Sequence, residues 1–426
     1  MASTAPKTMA PGRGPMPLDE ETVRRIATRL EEGEAGVAAR LRALEVYREQ
    51  PLPRRSLHLW RYTDPAALMP DGLGPLPAEA GGAPGPVPGR PAAAVLLRPG
   101  EHPGIEGTLP AGVTVEPLDG GDPRLGRAVP EVRGPFEAMN RAAFDAGVLV
   151  RVAPGTAVEG PVWIRAASGG GAFLPRILVD VGEGATVTVV EEHVGGAGGF
   201  RIAVTEILAG PGARVEHVPI QRLDDGARGH LTVRTVADAG ASVATSFVSL
   251  GGTLVKMDLG ARLAGEGASS ELLGFLLGGD GQRFDHHTVH RHEAPRGRSD
   301  IGFRTVLTGR SRSAYTGLIR IEQEARGVEA YQENRNLLLS KEARADTIPE
   351  LEILNEDVQC THGATVSPVD PDQAFYLESR GLDPVEAERL IVGGFLEPTL
   401  ARVPGGVREL LEPVIAARLE ALGAGR

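Results

Sequence analysis

The pattern of apolar and polar positions changes period twice along the chain. From Asp19 it is helical: Val23, Ile26, Ala27 and Leu30 fall at i, i+3, i+4 and i+7, with acid from Asp19 to Glu21 in the first turn. A second amphipathic stretch over Glu34 to Glu49 sets Val37, Leu41, Leu44 and Tyr47 on one side, and Pro51 and Pro53 stop it. Between Pro70 and Pro91 lie 7 Pro and 6 Gly in 22 residues. Such a stretch buries too little apolar surface to order itself and reads as a linker or mobile loop. The expected organisation is therefore a disordered tail (1–18), a helical region (19–69) and a linker (70–91).

After residue 92 the period becomes two, in short β-branched runs punctuated by Gly: AAAVLL, VTVEPL, VLVRVA, PVWIRAA, RILVDVG, TVTVVEEH and RIAVTEIL. Gly-Ala recurs at Gly184, Gly212, Gly240 and Gly267, at spacings of 28, 28 and 27, each time followed by an alternating segment. The same ruler lands near Gly155 upstream and near Gly297 and Gly327 downstream. Short strands on a fixed repeat, with Gly where positive φ or close approach is needed, predict a solenoid. No long helical pattern separates the strands, so the core over 92–375 is expected to be a parallel β-helix of two or three strands per coil. An antiparallel β-sandwich is the alternative. Helical pattern returns over 376–426. Asp383-Pro384-Val385-Glu386 reads as N-cap, first-turn proline and capping-box Glu, with Pro398 as the expected stop. A last amphipathic stretch runs from about Gly406 to Leu422, either packed on the end of the solenoid or serving as a docking module.

Composition narrows the function. The 426 residues carry a net charge of −11, which argues against nucleic acid as partner. No apolar run approaches the roughly 18 to 20 residues of a spanning helix, so no membrane insertion is expected. The N-terminus lacks the apolar core of a secretory signal and resembles an organelle transit peptide only faintly, so a bacterial cytoplasmic location is expected ahead of a plastid one. Only Lys7, Lys256 and Lys341 are lysines, a coding bias. The single cysteine, Cys360, excludes an internal disulfide, and one thiol cannot by itself hold an iron–sulfur cluster.

Two segments carry candidate chemistry. In Asp285-His286-His287-Thr288-Val289-His290-Arg291-His292, strand periodicity puts His286, His290 and His292 on one face. They read either as metal ligands or as a structural stack of hydrogen-bonded imidazoles, and the spacing is not that of a zinc protease. In Val358-Gln359-Cys360-Thr361-His362-Gly363, Cys360 and His362 share a face. Together they suit a soft metal such as iron; Cys360 alone also reads as a small buried hydrophobe. There is no nucleophile elbow and no phosphate-binding loop. Glu191, Glu192, Asp224 and Asp225 keep a carbohydrate-active β-helix enzyme, and the histidines a stand-alone metal-binding protein, as alternatives.

Several phrases, in order, resemble the SufB/SufD iron–sulfur cluster assembly family: Trp60-Arg61-Tyr62-Thr63, Phe136-Glu137-Ala138-Met139-Asn140, DHHT, SRSAYTGLIRIEQEA, QENRNLLLSKEARADTIPELEI, DVQCTHGATVSPVDPDQAFYLESRGL and GGFLEP. The resemblance implies a right-handed parallel β-helix with helical ends and a non-catalytic assembly subunit. It implies pairing with a SufB-like scaffold through the β-helix core, with a homodimer also compatible. It further implies docking of a SufC-like ABC ATPase by the C-terminal helices, ATP hydrolysis being the partner's. Cys360 and His362 match the family's C-[ST]-H-G-A-T motif, which implies a nascent cluster shared with the partner and no cofactor held by this chain alone. SufB-type sequences carry an essential cysteine in the segment corresponding to 332–339; here, near Asn334, there is none, which is similar to the SufD branch.

Overall fold

The computed structural model describes residues 16–71, 91–279 and 281–424, so most of the expected tail and linker lies outside the described residues. Two N-terminal helices, α1 (Glu20–Arg29) and α2 (Glu34–Glu49), come first. Strands β1 (Ala93–Leu97), β2 (Gly104–Glu106) and β3 (Val113–Pro117) precede α3 (Pro135–Ala143). Then follow β4 (Ala146–Val152), β5 (Ala157–Ser168), β6 (Ala172–Phe173), β7 (Pro175–Val181), β8 (Thr186–Gly195), β9 (Phe200–Ala209) and β10 (Arg214–Leu223). The series continues with β11 (Arg228–Ala237), β12 (Ser242–Ser249), β13 (Leu254–Leu263), β14 (Ser269–Gly278) and β15 (Arg283–His292). It ends with β16 (Arg298–Leu307), β17 (Arg312–Ile321), β18 (Val328–Leu338), β19 (Arg344–Ile353) and β20 (Val358–Pro368), before α4 (Pro371–Ser379), α5 (Pro384–Leu400) and α6 (Gly405–Ala424).

From β7 onward successive strands alternate between two sheets, so each coil contributes one strand to each, in a parallel β-solenoid of about 8 turns. Sheet A stacks in the order β2-β1-β5-β8-β10-β12-β14-β16-β18-β20, and sheet B runs from β19 through β17, β15, β13, β11, β9, β7 and β4 to β3. Two corners per coil explain two strands. The Gly-Ala corner is left-handed at Gly184, Gly212, Gly240 and Gly267, with φ between 63° and 69°. Each corner amide donates to a carbonyl one coil on: Gly184 to Pro211, Gly212 to Ala239 and Gly240 to Glu266, at 2.8, 2.8 and 2.9 Å. The ruler slips at the next coil, where Arg296 rather than Gly297 takes the left-handed conformation (φ 57°) and donates to Arg326 O at 2.7 Å. The opposite corner, at Gly198, Gly226, Gly252, Gly281 and Gly309, is less regularly spaced and escaped the repeat analysis. A Cβ on Gly212 would meet nothing closer than Gly184 Cα at 4.0 Å, so Gly212→Ala costs backbone conformation alone. A loss of about 1–2 kcal/mol in urea unfolding is expected; an unchanged midpoint would show that the corner tolerates side chains.

The ends of the stack differ. At one end β2 lies antiparallel on β1, and β3 antiparallel on β4. At the other, β19 and β20 are outermost, each paired on one side only. Strand residues pointing inward form one apolar filling around Val150, Ile164 and Val215, and a second around Phe247, Met257 and Phe303.

Both helical regions cover sheet faces. The N-terminal helices and α3 pack Leu44, Phe136 and Met139 against Leu178 and Ile202 on the outside of sheet B. Helix α2 buries Leu44 and Tyr47 as expected, but Val37 and Leu41 are only half-buried, and Arg40 is fully buried. Its guanidinium bonds Glu32 at 2.7 Å twice, donates to Phe144 O at 2.9 Å and lies 3.7 Å over the Phe144 ring, so the buried charge is fully partnered. Met16 and Leu18, assigned to the tail by pattern, are buried in the same cluster.

The strands end at Pro368 and α4 opens at Pro371, capped by Asp370, ahead of the boundary expected at 375. As anticipated, Asp383 caps α5, accepting from Val385 N and Glu386 N, both at 2.9 Å. Pro398 does not end that helix; it lies inside it, the helix forgoes the bond that an N–H there would give to Gly394 O, and the turn continues to Leu400. Helices α5 and α6 lie along the outside of sheet A rather than across the solenoid end, with Val392, Leu396, Leu411 and Ile415 on Trp163, Val190, Val218 and Phe275.

Candidate functional site at the open end of the solenoid

The parallel pairing of β18 with β20 sets Ala330 beside Cys360, Gln332 beside His362 and Asn334 beside Ala364. Ala330, Gln332 and Asn334 are buried on the inner side, so the in-register Cys360 and His362 continue that row at the mouth of the stack. Cys360 is half-buried and packs against the luminal core beside Leu351 and Val358. Burial pushes its thiol up from the usual range, so at neutral pH it is a thiol and must lose its proton to bind iron. His362 is exposed. The two sit on the outermost strand of sheet A, where no further strand among the described residues covers them.

The lumen behind this mouth is polar. Gln332 Nε2 donates to Gly317 O at 3.2 Å, Asn336 Nδ2 donates to Asn334 Oδ1 at 2.6 Å, and the Thr288 and Tyr315 hydroxyls share a bond at 2.8 Å. Gln332 Oε1, Asn334 Nδ2 and Thr347 Oγ1 are buried without a partner among the described residues. Asn334, near the place of the scaffold-type cysteine, thus faces inward one register step from the Gln332–His362 pair.

His286, His290 and His292 also face inward, but they do not converge. Residues two apart on a strand are about 7 Å apart and residues four apart about 13 Å. Among the described residues, no group of three or more His, Cys, Asp or Glu is placed to hold a metal ion. His290 Nε2 meets Ser270 Oγ at 3.1 Å, His292 Nε2 meets Ser299 Oγ at 2.8 Å, and His286 lies among Phe247, Phe284 and Phe303. Burial pushes the three down to about 3 (His286), about 3 (His290) and about 4 (His292), so they are neutral, structural imidazoles at pH 7. Of the carboxylates considered for glycan cleavage, Asp224 and Asp225 are exposed at a corner of the solenoid, and the two glutamates are engaged. Glu191 accepts from His193, His217 and Thr205 at 2.6, 3.0 and 2.8 Å, and Glu192 pairs with Arg165 and Arg222.

A second surface, missed in the sequence, adjoins the open end. Helix α4 buries none of its residues, and Phe375 (72% exposed), Tyr376, Val385 and Leu390 stand out on α4 and α5. A hollow of about 810 Å³ lies between these helices and the end of β20, lined by Pro368, Tyr376, Leu390 and Phe395. No apolar stripe marked it in the sequence, because α4 is hardly amphipathic and has no core to face.

A family model described as the SUF system FeS cluster assembly, SufBD core domain, matches residues 164–395, from β5 to α5. The chain belongs to the SufBD family. An iron–sulfur cluster assembly SufBD family protein of Mycobacterium tuberculosis is 33% identical over 72% of this chain and 80% of its own length. The iron–sulfur cluster assembly protein SufB of Bacillus subtilis is 31% identical over 65% of this chain and 61% of its own length. A SufBD family protein of Staphylococcus saprophyticus is 30% identical over 65% of this chain. The matched region of this SufBD chain contains both the Cys360–His362 mouth and the exposed faces of α4 and α5. Its role therefore lies in iron–sulfur cluster assembly. No helix among the described residues is long and apolar enough to cross a membrane.

Proposed function

We propose that this chain is the SufD-type, non-catalytic subunit of a cytoplasmic complex that builds and transfers iron–sulfur clusters. The observation that carries the reading is the unpaired outer edge of β19 and β20 with Cys360 and His362 at its mouth. One thiol and one imidazole are half a ligand set, so a nascent cluster needs donors from a second chain. An open strand edge is the ready place for that chain to add its own strands. A SufB-like scaffold supplies them in this reading, and the lack of a thiol at Asn334 assigns the present chain the other role; a second copy of this chain fits the same edge. The exposed aromatic face of α4 and α5 is the docking surface for a SufC-like ATPase, which carries out the ATP hydrolysis.

The test is co-expression of this chain with a SufB-like protein and a SufC-like ATPase, followed by affinity capture and mass determination. A complex of all three is expected, and this chain eluting alone while the other two pair would overturn the reading. Within that complex His362→Ala should leave assembly intact and lower cluster yield, read from visible absorbance and iron content per complex. Because His362 is exposed and supports no packing, unchanged yield would remove it from the site.

A further inference from the structure

The segment Trp60-Arg61-Tyr62-Thr63 takes no part in either surface above. It helps to close a cleft of about 910 Å³ between residues 50–60, the start of α3 and the outer face of sheet B. Trp60 stacks with Phe136 at 5.3 Å and with His230 at 5.7 Å, and Lys256 lies 5.0 Å over its ring while donating to Leu59 O at 2.8 Å. The floor is electrically closed. Asp258 is engaged by Arg133, Arg234 and His287; Lys256 pairs with Asp285 at 3.1 Å; Glu137 accepts from Thr232 at 2.8 Å.

The rim is not closed. From Pro51 to Thr63 there is no acidic residue, and Arg54, Arg55 and Arg61 are exposed, in a chain whose net charge is −11. Arg55 donates to Arg61 O at 3.1 Å and Arg61 lies 5.9 Å from the Tyr62 ring centre, but among the described residues none of the three meets a carboxylate. Beside them Leu57 (55%) and Val132 (71%) are exposed, as are Leu59 and Tyr62. Three unneutralised like charges repel, and a cluster of exposed aliphatic side chains around a concavity marks an interaction site.

We propose that this cleft docks an acidic segment of a partner protein, which inserts one aliphatic or aromatic side chain between Trp60, Leu52 and Val132. Carboxylates flanking that anchor pair with Arg54, Arg55 and Arg61. Nucleic acid would satisfy the arginines but offers no aliphatic anchor. A lipid surface is flat, whereas the apolar walls are recessed. The site lies on the outer face of sheet B, away from Cys360 and from α4 and α5, but His58 on its rim meets Glu350 of β19 at 3.6 Å, so it adjoins the sheet B side of the open end.

The experiment places a photoreactive benzoylphenylalanine at position 57 of the full chain in the cells that make it, and maps adducts at residue level by mass spectrometry. The expected adduct is a protein segment with acidic residues on both sides of an aliphatic or aromatic one. The yield should fall about tenfold when Arg54→Glu, Arg55→Glu and Arg61→Glu are combined. That variant must keep the parent's thermal midpoint; if it does not, Arg54→Gln, Arg55→Gln and Arg61→Gln replace it, with the same expected direction. Adducts on a second copy of this chain, on nucleic acid, on lipid or on a segment without acid would overturn the proposal, as would no adduct or a yield that ignores the arginines.

Discussion

At pH 5 the protein is expected to be less stable than at pH 7.5, three buried imidazoles alone costing about 6 kcal/mol and the buried Asp145, held up at about 6, returning only about 1 kcal/mol. The source is the row of buried imidazoles. His286, His290 and His292 take up protons in the unfolded chain near the usual 6.5, whereas in the folded protein they resist protonation down to about 3, about 3 and about 4. Between those limits the unfolded state binds more protons, so stability is complete above 6.5 and drains as pH falls. Each imidazole contributes about 2 kcal/mol of the loss at pH 5. His193, His230 and His287, also held low chiefly by burial, act in the same direction. Urea titrations at the two pH values measure the effect directly. A midpoint that does not move would mean that water reaches these rings and that the lumen is wet along their whole row.

The second large effect is expected at Glu206. Its carboxylate is fully buried on the outer side of β9, where it accepts from Arg176 at 2.6 Å and from the backbone of Gly126, Ala128 and Val129 at 3.0 Å each. Arg176 also donates to Asn140 of α3 at 3.0 Å, and Asn140 Nδ2 donates to Pro175 O and Ile202 O. One acid therefore holds a loop, a helix and two strands together. Glu206→Ala would leave a fully buried guanidinium without its counter-charge and three amides without their acceptor, so a loss of about 3–5 kcal/mol is expected. Early proteolysis within 120–130 should accompany it. Glu206→Leu combined with Arg176→Met should recover much of the loss, because an apolar pair leaves no charge uncompensated. If the single substitution cost less than the double, the uncompensated guanidinium would not be the source of the loss.

What could be read in advance follows from what repeats. The solenoid was legible because the Gly-Ala corner recurs with the same backbone conformation and the same hydrogen bond to the next coil, leaving the same two letters each time. The opposite corner needs only one Gly, in varied company, and stayed hidden. Cys360 and His362 could be placed on one face by strand periodicity, but not at the mouth of the stack, because the sequence does not announce which strand is last. A histidine row was equally legible, yet only the structure separates inward His286 from outward His287. The cleft could not be foreseen at all. Trp60, Arg133, Asp258 and His287 are brought together by α3 lying across sheet B, and an amphipathic stripe says that a helix is buried without saying against what. The same ignorance left α6 between the solenoid end and a docking module, whereas it lies along sheet A.

The two ends of the stack set a limit on growth. Parallel coils that hydrogen-bond to their neighbours are the geometry of a fibre, and a chain open at both ends would add copies without stopping. Here the short antiparallel strands β2 and β3 run against the direction of the coils and blunt one end, leaving β19 and β20 as the sole extendable face among the described residues. A body with one such face can be joined once. Strand addition at that face would join two solenoids and no more, a limit set by the polarity of a pair of strands more than 200 residues away in sequence from the edge they govern.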